Sequence, residues 1–382
     1  MSKSNETTPN VPTLRFPNYS SEWQVSPMGK VCTFRKGYGI SKENLSSDGT
    51  PCILYGELYT TYKTAIAKNI KSKTSLDPTI LFHSKKNDVI IPCSGETAED
   101  IATSVCIPYD DILLGGDLTV IRSDLDGAFL SNQINSVRKY DIARIAQGKS
   151  IVHLQADELK KISIAYPTID EQQKISGFID KIDERIEVQN KIISKYETLI
   201  KGLCDILFTV TEENVLPLKS IASIDKGQQI NGLSLAKTGK YYYLNGGITP
   251  SGYVDDYNTS ENTIAISEGG NSCGFVSYNA QKFWSGGHCY TLKIKNTQCR
   301  SKFLFFYLKY REKDIMQLRV GSGLPNIQKK SLENFVVPLP TFEKQCYIEC
   351  ILESITAKKE IETALLGQFQ SQKKFLLSKM FI

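Results

Sequence analysis

One stretch of this chain is written twice. Residues 148–208 align with residues 321–381 at a constant offset of 173, without a gap, and 12 of the 61 positions are identical. The identities include Pro167/Pro340, Thr168/Thr341, Gln172/Gln345, Ile175/Ile348 and Ile182/Ile355, and both copies close on a phenylalanine, Phe208 and Phe381. An internal repeat restricts a fold more than composition does, because each copy must solve the same packing problem. Upstream of each copy the echo is fainter and needs gaps. GKVCTFRKG (29–37) resembles LKSIASIDKG (218–227), ILYGEL (53–58) resembles YLNGGI (243–248), DVIIPCSGE (88–96) resembles NTIAISEGG (262–270), and LLGGDLTVI (113–121) resembles FWSGGHCYTL (283–292). These are short β-branched or aromatic runs broken by Gly, Asn and Ser, so they read as strands and turns. Each half is therefore a variable, strand-rich globule followed by a better-matched segment that ends in a long helix.

The helical part is legible from spacing. Between residue 170 and about 207, Ile175, Ile179, Ile182, Ile186, Ile193, Ile200, Leu203 and Leu207 alternate four- and three-residue steps, with Gln189 and Tyr196 filling the seam. That is a heptad stripe, the mark of a helix packed on another helix. Thr168, Asp170 and Glu171 supply capping and favourable charge at its start. The second copy, residues 343 to about 380, keeps the seam with Ile348, Leu352, Ile355, Leu366, Phe369, Leu376 and Met380, interrupted by Lys359, Glu362 and Lys373. Helices of this length span roughly 55 Å and need tertiary packing to persist. The simplest solution packs the two copies antiparallel, with a globule at each end held a fixed distance apart. The alternative is a homodimeric coiled coil built from each helix separately.

Composition narrows the class. At 382 residues the chain is long enough for about two domains. It is 41% apolar and 23% charged, with no run approaching the roughly 20 apolar residues of a membrane span. The polar start, MSKSNETTPN, has no apolar signal core, and the ten scattered cysteines form no C-x-x-C. A cytoplasmic protein with reduced thiols and no membrane contact is expected. A net charge of +5 permits contact with nucleic acid without establishing it.

The order of variable globule, shared helix, variable globule, shared helix resembles the specificity subunit of type I restriction–modification systems. VPTLRFPNYSSEWQVSPMGKV (11–31) is similar to the opening of that family, which has an L-R-F-P start and a Trp before the first strand. ISIAYPTIDEQQKI (162–175) and FVVPLPTFEKQCYI (335–348) resemble its I-x-I-P-x-P-x-x-E-Q-x-x-I junction. The first copy departs from it at Ala165 and the second at Lys344. The resemblance implies an α+β pseudo-twofold tandem repeat: target-recognition domains at 1–147 and 211–320, and shared junctions with spacer helices at 148–210 and 321–382, the helices packed as an antiparallel coiled coil. It also implies a non-enzymatic reader of a bipartite site in double-stranded DNA. Two methyltransferase subunits would dock on the shared helices and bring in the restriction subunits. S-adenosylmethionine, ATP and Mg2+ would sit on those partners, with no cofactor and no metal on this chain.

The chain has no Gly-rich cofactor loop after a strand, no Asn-Pro-Pro-aromatic motif and no phosphate loop of the G-x-x-x-x-G-K-[ST] type. Gly-Ser-Gly at 321–323 reads as a turn, and His83, His153 and His288 have no Ser or Cys pattern that would build a triad. No catalytic residue is expected. Base readout needs polar side chains on Gly-punctuated loops, with Arg or Lys suited to guanine and Asn or Gln to adenine. In the first globule the candidates are Lys36, Tyr38, Ser41, Tyr55, Glu57, Ser94 and Glu96. In the second they are Lys226, Gln228, Gln229, Asn245, Ser267, Glu268 and Asn271. Each could equally be a solvated turn residue; their recurrence at matching places favours a shared role. The lysine pairs 85–86 and 329–330 are candidates for phosphate contact. A two-headed coiled-coil adaptor that binds proteins is the competing function.

Overall fold

The computed structural model describes residues 10–148, 151–209, 214–232, 235–321 and 323–382. The chain divides into two compact units, one of residues up to 190 together with 364–382, the other of residues 191–363.

In the first unit a four-stranded sheet runs in the order Cys32–Lys36, Leu118–Ser123, Val89–Pro92, Val105–Cys106, with antiparallel neighbours throughout. Val89, Ile90, Ile91, Leu118, Val120 and Ile121 are buried on its two faces, so the central strands are apolar throughout. One face packs with Met28, Ile101, Leu130, Ile134 and Leu159, the other with Ile53, Leu58, Ile107 and Leu114. A smaller sheet carries Thr50–Ile53 parallel to Leu113–Leu114. The helix Gly127–Asn135 starts at Asp126, whose carboxylate accepts the Phe129 N–H at 2.7 Å.

The second unit repeats this plan. Its sheet runs Ala222–Lys226, Cys289–Ile294, Thr263–Ser267, Val276–Asn279, again antiparallel. Tyr241–Leu244 lies parallel to Trp284–Ser285, and the helix Ser301–Tyr310 follows the last long strand. Each globule is tied back to its own junction. Gln24–Pro27 pairs with Ser163–Tyr166 in one unit, and Val215–Pro217 pairs with Val336–Pro338 in the other.

The long helices are Ile169–Thr209 and Phe342–Met380. Each unit holds part of both. In the first, Ile175, Ile179 and Ile182 pack with Leu376, Met380 and Phe381, and Lys373 donates to Asp183 at 2.5 Å. In the second, Ile200, Leu203, Cys204 and Phe208 share a core with Ile348 and Leu352, and Lys359 lies 3.5 Å from Glu197. As numbers rise along one helix they fall along the other, so the pairing is antiparallel and within the chain. Lys359 and Lys373, which interrupt the apolar seam, each meet a carboxylate across it.

Asp170 and Glu171 lie in the first turn of the first long helix, as expected, and each also takes a side-chain partner. Asp170 accepts the Tyr19 hydroxyl at 2.5 Å, and Glu171 is fully buried against Arg15 with two bonds of 2.7 Å. Arg15 belongs to the Leu-Arg-Phe-Pro run. Its guanidinium is matched to a carboxylate in the bidentate geometry that makes such pairs strong. Gly321 has a φ of +100°, as a turn requires, while Ser322 of the same Gly-Ser-Gly run lies outside the described residues.

Candidate nucleic-acid interface

Three loops converge at one end of each main sheet. In the first unit the chain leaves its first strand at Lys36 and must pass close to another backbone. A Cβ at Gly37 would stand 2.3 Å from the Gly115 carbonyl oxygen, so only glycine fits. The Tyr38 N–H then donates to the Leu114 carbonyl at 3.2 Å. In the second unit a Cβ at Gly227 would stand the same 2.3 Å from the Gly286 carbonyl oxygen, and the Gln228 N–H donates to the Ser285 carbonyl at 2.8 Å. The third loop closes in the same way twice: Cys93 N–H to Asp117 O at 2.7 Å, and Glu268 N–H to His288 O at 2.9 Å. Backbone hydrogen bonds thus assign Lys36 to Lys226, Tyr38 to Gln228, Asp117 to His288 and Cys93 to Glu268.

Around this frame the first unit gathers Lys36, Tyr38 and Ser94. The Lys36 ammonium lies 4.0 Å from Asp117, both side chains exposed. Tyr38 is 53% exposed and rests edge-on against Phe82. Ser94 Oγ lies 3.3 Å from His153 Nδ1. Beside them a cleft of about 620 Å³ is lined by Arg35, Lys36, Ser94, His153, Gln155 and Lys160, among others. Glu96 is exposed just beyond. Three other candidates are engaged in their own loops. Ser41 caps a short 3-10 turn through Asn44, and Glu57 accepts the Leu54 N–H and the Ser72 hydroxyl, each at 2.7 Å. Tyr55 packs against the core that holds Ile53 and Leu58.

The second unit gathers more of its candidates. Lys226 donates to Glu268 at 2.5 Å. The Gln228 carbonyl accepts the Trp284 indole N–H at 2.8 Å, and Gln229 lies against Gly287. Asn245 accepts the His288 N–H at 3.0 Å. Asn271 is exposed on the turn that follows Gly270. Ser267 is buried, its hydroxyl donating to the Gly246 carbonyl at 2.5 Å, so it shapes the loop from beneath. Tyr290 lies 3.2 Å from Glu268, and its phenol is pushed up to about 12, first by burial and then by that carboxylate.

Asp117, His153, His288, Trp284 and Tyr290 were not chosen from sequence as contacts. The repeated Gly-Gly pair, in LLGGDLTVI and FWSGGHCYTL, was the signal that could have found Asp117 and His288. Among the described residues no group of His, Cys, Asp and Glu could hold a metal ion, and no helix is long and apolar enough to cross a membrane. The ten cysteines are free thiols. Burial pushes those of Cys32, Cys52, Cys204 and Cys289 up to about 11, away from the thiolate form that reacts.

The chain as a whole is similar to known proteins. The family described as type I restriction modification DNA specificity domain matches residues 20–198 and again 212–369. A chain of Mycoplasma pneumoniae described as a type I specificity subunit is 36% identical over 123 residues, 32% of each chain. One of Mycoplasma genitalium, similarly described, is 28% identical over 174 residues, 43% of this chain and 45% of that one. The present chain thus spans less than half the length of these two relatives. The crystal structure of the S subunit of a type I restriction–modification system from M. genitalium aligns over 97% of this chain and 99% of its own, with a TM-score of 0.72 at 21% identity. The fold is therefore that of a specificity subunit, and the family's domain is present twice. Because the family match covers most of the sequence in two consecutive copies, this chain belongs to the type I restriction modification DNA specificity family.

Proposed function

We propose that this chain is the DNA-recognition subunit of a type I restriction–modification complex. One observation carries the proposal: a single backbone frame, built twice, presents different side chains at its loop ends. A scaffold that repeats while its tips differ suits a protein that reads two unlike half-sites. The functional divisions are the recognition globules at 1–147 and 211–320 and the shared segments at 148–210 and 321–382. Lys36, Tyr38 and Ser94 serve one half-site, with Glu96 beside them. Lys226, Gln228, Gln229, Asn245, Glu268 and Asn271 serve the other. Ser41, Tyr55, Glu57 and Ser267 hold the loops that carry them. The cleft with Arg35, Lys36 and Lys160 suits the phosphate backbone, which fixes register without reading sequence.

The shared helices dock two methyltransferase subunits and, through them, restriction subunits. Those partners carry S-adenosylmethionine, ATP and Mg2+ and perform the chemistry in the cytoplasm, while this chain chooses the site. The test is co-purification with a methyltransferase followed by DNA binding across a salt series. Affinity for a specific duplex should fall steeply with salt, as counterion release requires. A complex that binds no DNA, or a chain that recruits an unrelated protein, contradicts the proposal.

A further inference from the structure

The two globules put different chemistry at one equivalent backbone position. Cys93 and Glu268 each bond through N–H to the residue after the Gly-Gly pair, and each carbonyl accepts from the repeated segment, from Leu154 at 2.9 Å and Ile327 at 2.8 Å. Their neighbours are also equivalent, since Thr119 pairs with Lys36 and Tyr290 pairs with Lys226. In the first globule the Cys93 sulfur lies 3.1 Å from the Thr119 hydroxyl, a neutral pair. In the second, a carboxylate occupies the place.

That carboxylate is held on one oxygen and open on the other. Glu268 Oε1 accepts from Lys226 at 2.5 Å, and the Tyr290 hydroxyl, 3.2 Å away, is shared with the Ile327 carbonyl at 3.1 Å. Oε2 accepts no hydrogen bond from the described residues; His288 Nδ1 stands 3.6 Å from it. The side chain is 12% exposed and the His288 side chain beside its second oxygen is 64% exposed, so the carboxylate sits in a fixed seat just under the surface. An ionised carboxylate only accepts. In the major groove guanine offers two acceptors and adenine sets an acceptor beside its amino group, whereas cytosine presents its amino group alone. Lys226 offsets the negative charge that phosphates would otherwise repel.

We infer that Glu268 reads a cytosine amino group in the second half-site, with Lys226 and Tyr290 as its positioning residues and no counterpart at Cys93. The inference rests on the proposed function and adds a base identity to it.

The experiment uses the full chain, assembled with its methyltransferase subunits, on a duplex library randomised at both half-sites, with methylation and bound sequences read in parallel. Wild type should prefer a G·C pair at one position of the second half-site. E268Q should lose that preference by about tenfold and move toward A·T, since glutamine pairs with adenine. The first half-site, unchanged, reports that the variant is folded. Y290F should weaken discrimination at the same base pair only, and an even loss across all positions would reduce Tyr290 to a structural role and overturn its assignment. A wild-type second half-site without a G·C pair, an E268Q preference that stays on cytosine, or an E268Q complex that loses both half-sites overturns the inference. A wild-type complex with no sequence preference defeats the proposed function itself, a different result from a clear preference that E268Q leaves in place.

Discussion

Gln345 accepts the backbone N–H of Arg300 through its side-chain oxygen at 2.8 Å. Its amide donates to the carbonyls of Gln298 at 2.8 Å and Pro340 at 2.9 Å. Gln172 does the same in the first copy, accepting the Asp126 N–H at 2.9 Å and donating to the Pro167 carbonyl at 2.8 Å. Asp126 and Arg300 are the residues from which the helices Gly127–Asn135 and Ser301–Tyr310 start. The repeated glutamine therefore joins a long helix to the first turn of a helix in its own globule, which explains why it stands in both copies.

Replacing Gln345 by Leu keeps its size and removes every one of these bonds. Gln345 is fully buried, so the Arg300 N–H loses its partner away from water. A destabilisation of about 1–3 kcal/mol is expected for each group left unsatisfied. Urea unfolding of Q345L measures it; a midpoint equal to wild type would mean that the joint does not stabilise the fold.

Arg15 and Glu171 form the corresponding joint at the start of the chain. Removing Arg15 alone leaves a buried carboxylate unpaired, and R15M is expected to cost about 3–5 kcal/mol. Replacing both, as R15M with E171M, should recover most of that loss, because two apolar groups need no partner. Thermal and chemical denaturation of the single and double variants separate these outcomes.

Much of this architecture was legible before the structure. The ungapped repeat located both junctions, and heptad spacing located both long helices to within about two residues. Gly-punctuated loops placed Lys36 and Tyr38 in the first unit and Lys226 and Gln228 in the second on equivalent backbone turns. Three kinds of feature were hidden. Glu57 and Ser267 look like exposed polar loop residues, yet each has a partner, Ser72 and the Gly246 carbonyl, that only folding brings close. The second role of Glu171 was hidden because its partner, Arg15, is 156 positions away. Tyr290 and His288 join the Lys226 and Glu268 loops through strand register, which one sequence does not specify.

The acid side of stability should show at Glu184. Hydrogen bonds from Lys181 and then Lys68 hold its carboxyl down at about 2, against an ordinary value of 4.5. A depressed carboxylate favours the folded state when ionised, so its contribution is complete above about pH 4.5 and fades as pH falls toward 2. Lys68→Ala should move the Glu184 midpoint upward, toward 4.5, in a carboxyl-carbon NMR titration. An unmoved midpoint would remove Lys68 as a cause.

Gly37→Ala and Gly227→Ala test the frame that carries the loops proposed to read DNA. Each adds a Cβ at 2.3 Å from a carbonyl oxygen, too close to persist without moving the loop. Each variant is expected to lose recognition of the half-site read by its own globule and to retain the other. Methylation of a library randomised at both half-sites reports this. Loss of both half-sites from either substitution would contradict independent reading.

The most direct measurement is methylation mapping by long-read sequencing in cells that carry this chain and its methyltransferase subunits. A second strain has residues 211–320 exchanged for those of another family member. The expected result is a two-part motif with an unspecified gap, in which the exchange replaces one part and leaves the other unchanged. A single contiguous motif, or an exchange that alters both parts together, would contradict the claim that two unlike heads on one repeated frame each read their own half of the site.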